Sequence, residues 1–293
     1  MKIAVYSASQ YDREFLDRAN QAFGHQLKYI ERALCLESAD LAKACQAVSI
    51  FVNDDASSDV LKKLHQLNIG LLALRCTGYN HVDLVAAKQW GIDVVRVSEY
   101  SAYSVAEHAT LLMLALNRKL LLAHTRIQNN NFSLDSLMGF DLHGKTVGII
   151  GAGKIGEAFC RIANGFGCRV IAYDVIQNPS FSKAGGSFVA LDDLAKQADV
   201  ISVHCALTAE TKYLIDGEFI SKCKPGVVLI NTSRGSVLDT QAAIIALQSG
   251  QLGGLGLDVY ENESGLFFKD HSTEQIYDPY LKQLQSMSNV IMT

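Results

Sequence analysis

The stretch that most constrains this chain runs from Thr146 to Asp174. An apolar run leads into the glycine pattern Gly151-x-Gly153-x-x-Gly156, and a segment with apolar residues at helical spacing follows it. A second apolar run then ends on Asp174. The order of strand, glycine turn, helix, strand and acid predicts a nucleotide-binding βαβ unit.

Each glycine of this pattern has its own physical role. The first permits the tight turn, the second lets the backbone approach a pyrophosphate, and the third brings the helix close to the strand. Asp174 follows Gly151 by 23 positions, near the roughly 20 expected of a ribose-binding acid. Its carboxylate would accept hydrogen bonds from ribose hydroxyls and repel a 2′-phosphate, so the sequence predicts NAD rather than NADP. Taken alone, the glycines are also compatible with a chance glycine loop.

The composition sets the class of protein around this motif. A chain of 293 residues with 49% hydrophobic and 19% charged residues is typical of a soluble globular protein with two domains. The net charge of −4 argues against non-specific nucleic-acid binding. The seven cysteines form no CxxC pair, so we expect free thiols of a reducing compartment and no metal site. Neither a signal peptide nor an apolar run of membrane length is recognised, which favours a cytoplasmic protein.

Strand-like and helix-like segments alternate over residues 1–100, which predicts a parallel sheet covered by helices. Ser101–Leu122 is predicted as one helix, apolar nearly all round and therefore buried. The remainder predicts a second doubly wound sheet of at least six strands, with its ligand at the carboxyl ends of the strands. The predicted strands are Lys2–Tyr6, Val48–Val52, Ile69–Arg75 and Asp93–Val97, then Val147–Ile150, Arg169–Tyr173, Val200–His204, Val227–Asn231, Leu255–Val259 and Asn289–Met292.

Candidate catalytic residues follow the predicted strands. Arg234 could clamp a substrate carboxylate and polarise a neighbouring carbonyl, or be a surface arginine. Glu263 could raise the pKa of a nearby imidazole and orient it, or be a solvated loop acid. In the first domain, Thr77-Gly78 could present backbone N–H groups to a carboxylate, or form a plain strand-to-helix turn. His108 is expected to make structural hydrogen bonds, with a catalytic base as the alternative.

Together these motifs resemble the D-isomer-specific 2-hydroxyacid dehydrogenases, and within them the D-lactate dehydrogenase branch. The matching segments keep the family order and span essentially the whole chain. They are LRCTGYNHVDL (74–84), YSAYSVAEHA (100–109), NFSLDSL (131–137), GKTVGIIGAGKIG (144–156), Asp174, HCALT (204–208), NTSRG (231–235), GLDVYENE (256–263) and Leu266-Phe267-Phe268.

The resemblance implies a flavodoxin-like substrate domain over residues 1–100 and a Rossmann NAD-binding domain over residues 101–293, each a doubly wound parallel sheet. It implies NAD-dependent reduction of a 2-keto acid, most simply pyruvate to D-lactate, by a homodimer built on the NAD-binding domain. Arg234 would hold the substrate carboxylate and carbonyl, and Glu263 would pair with a catalytic histidine that exchanges the proton at C2. The substrate end would be lined by Thr77, Gly78 and Tyr100, and the cofactor would contact Gly151, Gly153, Ile155, Gly156, Asp174, Cys205, Ala206, Thr211, Thr232, Ser233 and Asp258.

The sequence departs from the family pattern in three places. Ser98 and Ala102 replace prolines that usually flank the tyrosine, and Ala206 replaces the proline of the HCPLT motif; these changes should loosen loops without altering the chemistry. The family's catalytic histidine and terminal helix follow the final strand, whereas this sequence ends at Thr293. We therefore expect the 293-residue chain to bind NADH with little pyruvate reduction. The alternatives are a non-catalytic NAD(H)-sensing scaffold and a formate, glycerate or phosphoglycerate dehydrogenase.

Overall fold

The chain forms two compact units, Met1–Tyr100 and Ser101–Thr293. The structure is a computed structural model that describes residues 1–98, 100–263, 265–267 and 270–293. Each unit is a parallel sheet with helices in the connections, which confirms the predicted α/β class. Within the described part of the chain, the helices are too short or too polar for any of them to cross a membrane.

The first unit is a five-stranded sheet whose strands alternate with helices along the chain. Its elements are β1 (Lys2–Val5), α1 (Gln10–Asn20), β2 (Gln26–Tyr29), β3 (Ala47–Ile50), α2 (Ser58–Gln66), β4 (Leu71–Leu74), α3 (Leu84–Gln89) and β5 (Asp93–Arg96). Neighbouring strands are parallel in the order β2-β1-β3-β4-β5. This is the flavodoxin-like order, in which the direction of winding reverses between β1 and β3. Strand β3 is buried over its whole length and lies at the centre of the core.

The sequence predicts four strands in this unit, and the structure has five. The additional strand, β2, lies at the edge of the sheet and pairs with β1. Its four residues, Gln-Leu-Lys-Tyr, alternate between exposed and partly buried positions. An edge strand that is short and half polar contains no apolar run, so hydrophobic pattern alone does not detect it.

The second unit is a seven-stranded parallel sheet. Its elements are α4 (Ala102–Asn117), α5 (Leu120–Gln128), β6 (Thr146–Ile150), α6 (Lys154–Gly165), β7 (Arg169–Tyr173), α7 (Pro179–Lys183), β8 (Ser187–Phe188), α8 (Leu191–Gln197), β9 (Val200–Val203), α9 (Gly217–Lys222), β10 (Val227–Asn231), α10 (Thr240–Ser249), β11 (Leu252–Leu257), α11 (Pro279–Ser286) and β12 (Val290–Met292). The strand order is β12-β11-β10-β9-β6-β7-β8. Winding reverses between β6 and β9, so the ligand crevice is expected outside their carboxyl ends.

The predicted single helix Ser101–Leu122 is two helices in the structure. Lys119 adopts a left-handed conformation with φ of 52°, and it separates α4 from α5. The buried side chain of Asn117 fixes the end of α4, because it donates to the Phe140 carbonyl at 2.8 Å and accepts from the Phe140 N–H at 2.9 Å. Helix α4 contributes much of one core, whereas α5 has no buried residue along its described length.

Candidate active site and cofactor-binding site

The glycine turn between β6 and α6 has the geometry that a dinucleotide requires. Gly151 has φ of 98°, and a Cβ there would lie 2.5 Å from the backbone nitrogen of Cys205, which follows β9. A Cβ on Gly156 would lie 2.2 Å from the Gly151 carbonyl oxygen. A Cβ on Gly153 would meet nothing within 4 Å. The first and third glycines therefore allow close packing within the protein, and the second faces open space.

Asp174 lies at the end of β7, next to this turn. Its Oδ2 accepts from the Ala152 N–H at 2.7 Å and its Oδ1 from the Ile176 N–H at 3.0 Å. Because a carboxylate has about four acceptor positions, both oxygens can still accept from ribose hydroxyls. The acid thus stands where the sequence predicts a ribose-binding carboxylate.

Two buried polar atoms at the ends of the adjacent strands β9 and β10 have no hydrogen-bond partner among the described residues. They are Nδ1 of His204 and Oγ1 of Thr232. Nε2 of His204 bonds to Ser202 Oγ at 2.9 Å, and burial lowers the pKa of His204 to about 3, so its imidazole is neutral near pH 7. Unpaired buried polar atoms are costly in a folded protein, so a polar ligand at these strand ends would be favourable.

The loop after β9 is held by its own hydrogen bonds. Thr211 Oγ1 accepts from the Thr208 N–H at 2.7 Å and donates to the Ala206 carbonyl at 2.7 Å. Burial raises the pKa of Cys205 to about 11, which makes its thiol unreactive at neutral pH. Ile155, in the first turn of α6, is partly buried against the core. Among the predicted cofactor contacts of this loop, Ala206 is exposed, whereas Cys205 and Thr211 are partly buried.

Arg234 follows β10 on a loop that Asn231 organises. The Asn231 side chain donates to the Arg234 carbonyl at 2.9 Å and accepts from the N–H and Oγ of Ser233, both at 3.0 Å. Nη1 of Arg234 donates to the Ser233 carbonyl at 2.7 Å. Among the described residues the guanidinium makes this one hydrogen bond, so most of its N–H groups can bind a ligand. The sequence motif contains Asn231, but its organising role became apparent only from the structure.

The turn that carries Glu263 lies directly against the Arg234 loop. A Cβ on Gly235 would lie 2.1 Å from the carbonyl carbon of Tyr260, so the glycine allows the two backbones to touch. Within the turn, the Tyr260 N–H donates to Glu263 Oε2 at 3.0 Å. The structure therefore brings together the loops of the two predicted catalytic residues, Arg234 and Glu263.

Asp258 lies at the end of β11, where its N–H donates to the Asn231 carbonyl at 3.0 Å. Its Oδ1 is 3.0 Å from Thr293 Oγ1 and 3.3 Å from His108 Nε2, and His108 Nε2 is 2.9 Å from Thr293 Oγ1. His108 thus joins α4 to the ends of β11 and β12. This agrees with the structural role predicted for it.

The predicted substrate residues lie in the first unit, whereas Arg234 and Glu263 lie in the second. Thr77 and Gly78 follow β4, and Tyr100 is 61% exposed. Thr77 Oγ1 is buried and unpaired among the described residues. Arg96 donates to the Thr77 carbonyl at 3.0 Å, a contact that sequence reasoning missed. The sequence feature that could have indicated it is a basic residue at the end of the edge strand β5. Phe268, quoted for the resemblance, lies outside the described residues.

Comparison with known proteins decides the family. The family model for the D-isomer specific 2-hydroxyacid dehydrogenase, NAD binding domain, matches residues 110–293. The D-lactate dehydrogenase of Escherichia coli is 46% identical over 293 residues, covering 100% of this chain and 89% of that protein. This chain belongs to the D-isomer-specific 2-hydroxyacid dehydrogenase family.

Solved structures of 2-hydroxyacid dehydrogenases share the fold. The pyruvate reductase of Chlamydomonas reinhardtii superposes with a TM-score of 0.93 at 42% identity, covering 100% of this chain and 88% of that one. A D-lactate dehydrogenase from Aquifex aeolicus, complexed with NAD and lactic acid, gives a TM-score of 0.88 at 36% identity, covering 99% and 87%.

These matches confirm the predicted family, fold class and NAD cofactor. As a member of this dehydrogenase family, the protein is an NAD-dependent oxidoreductase. Its residues fit the cofactor. The open side of Gly153 suits a pyrophosphate and Asp174 suits a ribose, and the buried Thr232 Oγ1 at the same sheet edge has no partner in the part of the chain that the structure describes. The individual cofactor and substrate contacts stay predictions.

Proposed function

We propose that this protein uses NADH to reduce a 2-keto acid, most simply pyruvate, to the corresponding D-2-hydroxy acid. The observation that carries the proposal is Arg234, a largely unengaged guanidinium at the carboxyl end of β10 in the NAD-binding domain. A planar guanidinium binds a carboxylate bidentately and can also polarise an adjacent carbonyl. NAD, when bound as NADH, supplies the hydride.

The other proposed roles concern the proton and the substrate. Glu263, which accepts a hydrogen bond from the Tyr260 N–H, would stabilise an imidazolium. It would thereby raise the pKa of the histidine that donates a proton to the oxygen on C2 of the substrate. His204 does not suit that task, because its low pKa leaves it unprotonated at neutral pH. We assign residues 1–100 to substrate binding. The buried hydroxyl of Thr77, which has no hydrogen-bond partner among the described residues, supports a polar ligand in that unit.

Two relatives favour pyruvate among the 2-keto acids. One solved relative is a pyruvate reductase, and one relative of known sequence is a D-lactate dehydrogenase. Pyruvate and D-lactate are the two sides of one reaction, so these names agree with each other. The seven cysteines, all among the described residues, form no disulfide, which supports our proposal of a reducing compartment such as the cytoplasm.

The test is turnover of a panel of 2-keto acids by the full-length protein. Pyruvate should give the highest kcat/KM, and Arg234→Lys should lower it roughly 100-fold or more, as expected for about 3 kcal/mol of lost bidentate contact. Arg169→Lys is the matched control, because Arg169 begins β7 at the opposite end of the sheet and donates to Gln197.

Three results would contradict the proposal. A loss below tenfold in Arg234→Lys removes this residue from substrate binding. A higher kcat/KM for glyoxylate or hydroxypyruvate than for pyruvate changes the substrate. Tight NADH binding without turnover of any acid favours the non-catalytic NAD(H)-sensing scaffold.

We also propose a homodimer built on the NAD-binding domain. Helix α5 buries none of its residues, and Arg126 within it donates to the carbonyls of Ser133 and Asp135, which folds the following loop onto the helix. Seven large apolar residues of this region are at least half exposed, so on the order of several hundred Å² of apolar surface is uncovered, the size at which such a patch is often a protein contact. They are Leu111, Leu120, Leu121, Ile127, Phe132, Leu134 and Met138.

Sedimentation velocity tests the dimer. The wild-type protein should sediment as a dimer at micromolar concentration, and Leu121→Glu should shift it to the monomer. Phe23→Glu, at a 71% exposed aromatic of the first unit, is the control and should leave the dimer intact. A monomeric wild type, or a Leu121→Glu dimer of unchanged affinity, would contradict this assembly.

A further inference from the structure

Tyr260 is the most deeply buried residue of the turn that carries Glu263. Only 2% of it is exposed, and its ring stacks on Phe267 with centroids 6.5 Å apart. Its hydroxyl donates to Asp278 Oδ2 at 2.8 Å. Burial is the larger cause and the Asp278 carboxylate the smaller cause of a raised pKa of Tyr260. The hydroxyl therefore keeps its proton and remains a donor.

The backbone of Tyr260 contacts both loops of the proposed active site. On one side its N–H donates to Glu263 Oε2 at 3.0 Å, and its carbonyl accepts from the Glu263 N–H at 3.3 Å. On the other side its carbonyl group meets Gly235, where an added Cβ would lie 2.1 Å from the carbon. A movement of Tyr260 therefore moves the carboxylate of Glu263.

Asp278 is a rigid partner for the Tyr260 hydroxyl. Its Oδ1 caps α11 by accepting from the Tyr280 and Leu281 N–H groups, both at 2.9 Å. Burial would raise the pKa of Asp278, but these N–H groups and the Tyr260 hydroxyl lower it below its ordinary value, which keeps the carboxylate charged. One carboxylate thus fixes the start of a helix with one oxygen and the Tyr260 ring with the other.

We propose that the Tyr260–Asp278 hydrogen bond is a positioning pair that sets the location of the Glu263 carboxylate. This inference rests on the proposed role of Glu263. The pair acts on Glu263 through the Tyr260 backbone, since the ring is anchored at its hydroxyl and the N–H at its other end holds the carboxylate. The Arg234 loop is fixed separately by Asn231, so the pair should affect the proton step more than substrate binding.

The test compares Tyr260→Phe with Glu263→Gln in the full-length protein. Tyr260→Phe should lower kcat for pyruvate roughly 10- to 100-fold, as expected for a displaced catalytic group, with KM changed less than about threefold. Reduction needs the protonated imidazole, whose pKa a nearby carboxylate raises, so both variants should move the alkaline limb of the pH profile to lower pH. The double variant should lose no more activity than Glu263→Gln alone.

Tyr280→Phe is the matched control. It removes a tyrosine hydroxyl from the same helix, one that donates to Gln241 at 3.2 Å, and it should leave kcat, KM and the pH profile unchanged. If Tyr260→Phe does not fold, Asp278→Ser keeps a capping oxygen for α11 but is too short to reach Tyr260, and it should give the same loss and pH shift.

A readout without turnover separates this inference from the proposed function. Hydrogen exchange of the amide at position 260, which donates to Glu263, should become roughly tenfold faster in Tyr260→Phe and stay constant in Tyr280→Phe. Unchanged exchange overturns the positioning pair whatever the protein's activity. If exchange changes as expected but Glu263→Gln keeps full activity, the role of Glu263 in the proposed function is wrong. If Glu263→Gln is inactive and Tyr260→Phe is not, or their losses add in full, the positioning pair alone is wrong.

Discussion

Replacing Gly153 with alanine tests whether the open side of the glycine turn faces the cofactor. Gly153 caps α6 with φ of −72° and ψ of −163°, a conformation that alanine adopts readily. A Cβ at this position meets no atom within 4 Å in the protein alone. The substitution should therefore be tolerated without NADH and become unfavourable only when a pyrophosphate approaches the backbone.

The expected stability change is small, because two effects of opposite sign nearly cancel. Alanine is a poorer N-cap than glycine by up to about 1 kcal/mol. It also restricts the unfolded chain, which stabilises the protein by about 0.4–1 kcal/mol. The melting temperature of Gly153→Ala without ligand should thus lie within about 4 °C of wild type.

The expected loss of affinity is much larger. Hydrogen bonds from backbone N–H groups to a charged phosphate contribute about 1.5–3 kcal/mol each, and a Cβ that holds the phosphate away forfeits at least one of them. The Kd for NADH should therefore rise roughly 10- to 150-fold. Isothermal titration calorimetry measures this Kd directly, and differential scanning calorimetry without NADH measures the stability.

Two other glycines of α6 provide the controls. Gly165→Ala, also with nothing within 4 Å of the added Cβ, should leave the Kd unchanged and raise the melting temperature slightly, because alanine is the better helix former. Gly156→Ala places a Cβ 2.2 Å from the Gly151 carbonyl, so it should destabilise the protein by about 1–3 kcal/mol even without NADH. If Gly153→Ala binds NADH as tightly as wild type, the backbone at this position does not approach the pyrophosphate.

Two further predictions concern Asp174 and His204. Asp174→Ala should weaken NADH binding and lower the Kd for NADPH divided by the Kd for NADH. A wild-type protein that binds NADPH as tightly as NADH would contradict the role of this acid. His204 has a pKa lowered by burial to about 3 in the folded protein, against about 6.5 when unfolded. The unfolded state therefore binds the additional proton as pH falls through this window, and stability should fall by about 2 kcal/mol from pH 7 to pH 5 through this group. Urea unfolding should show that loss in the wild type and not in His204→Gln. If the free energy of unfolding depends on pH equally in both proteins, the pKa of His204 is not lowered in the folded state.

Much of the fold was predictable because buried parallel strands are short apolar runs. Strands β7 and β10 begin and end at the predicted residues, Arg169–Tyr173 and Val227–Asn231; Asp174 follows the first run and Gly226 precedes the second. The edge strand β2 and the break at Lys119 were not predictable in this way. An edge strand depends on a neighbour for its hydrogen bonds, and the left-handed Lys119 depends on the distant contact between Asn117 and Phe140.

The candidate site was predictable to the extent that its residues lie just after strands. In a parallel sheet all the strands end at the same edge, so Gly151, Asp174 and Arg234 could be assigned to it by counting along the chain. The hydrogen-bond partners of these residues could not. Asp174 accepts from Ala152, which is 22 positions away, and that contact depends on β6 and β7 being neighbours.

Strand order therefore decides which functional loops can influence each other. Strands β10 and β11 are adjacent, so the loop of Arg234 and the turn of Glu263 leave the sheet side by side, and Gly235 lets their backbones touch. Helix α11 returns from that turn to β12 on the far side of β11, which brings Asp278 to the Tyr260 hydroxyl. The turn that would orient the imidazole is thus anchored through Tyr260, whereas Asn231 fixes the Arg234 loop separately. For this reason a change at Tyr260, which touches neither substrate nor cofactor in our proposal, should alter the pH dependence of the reaction.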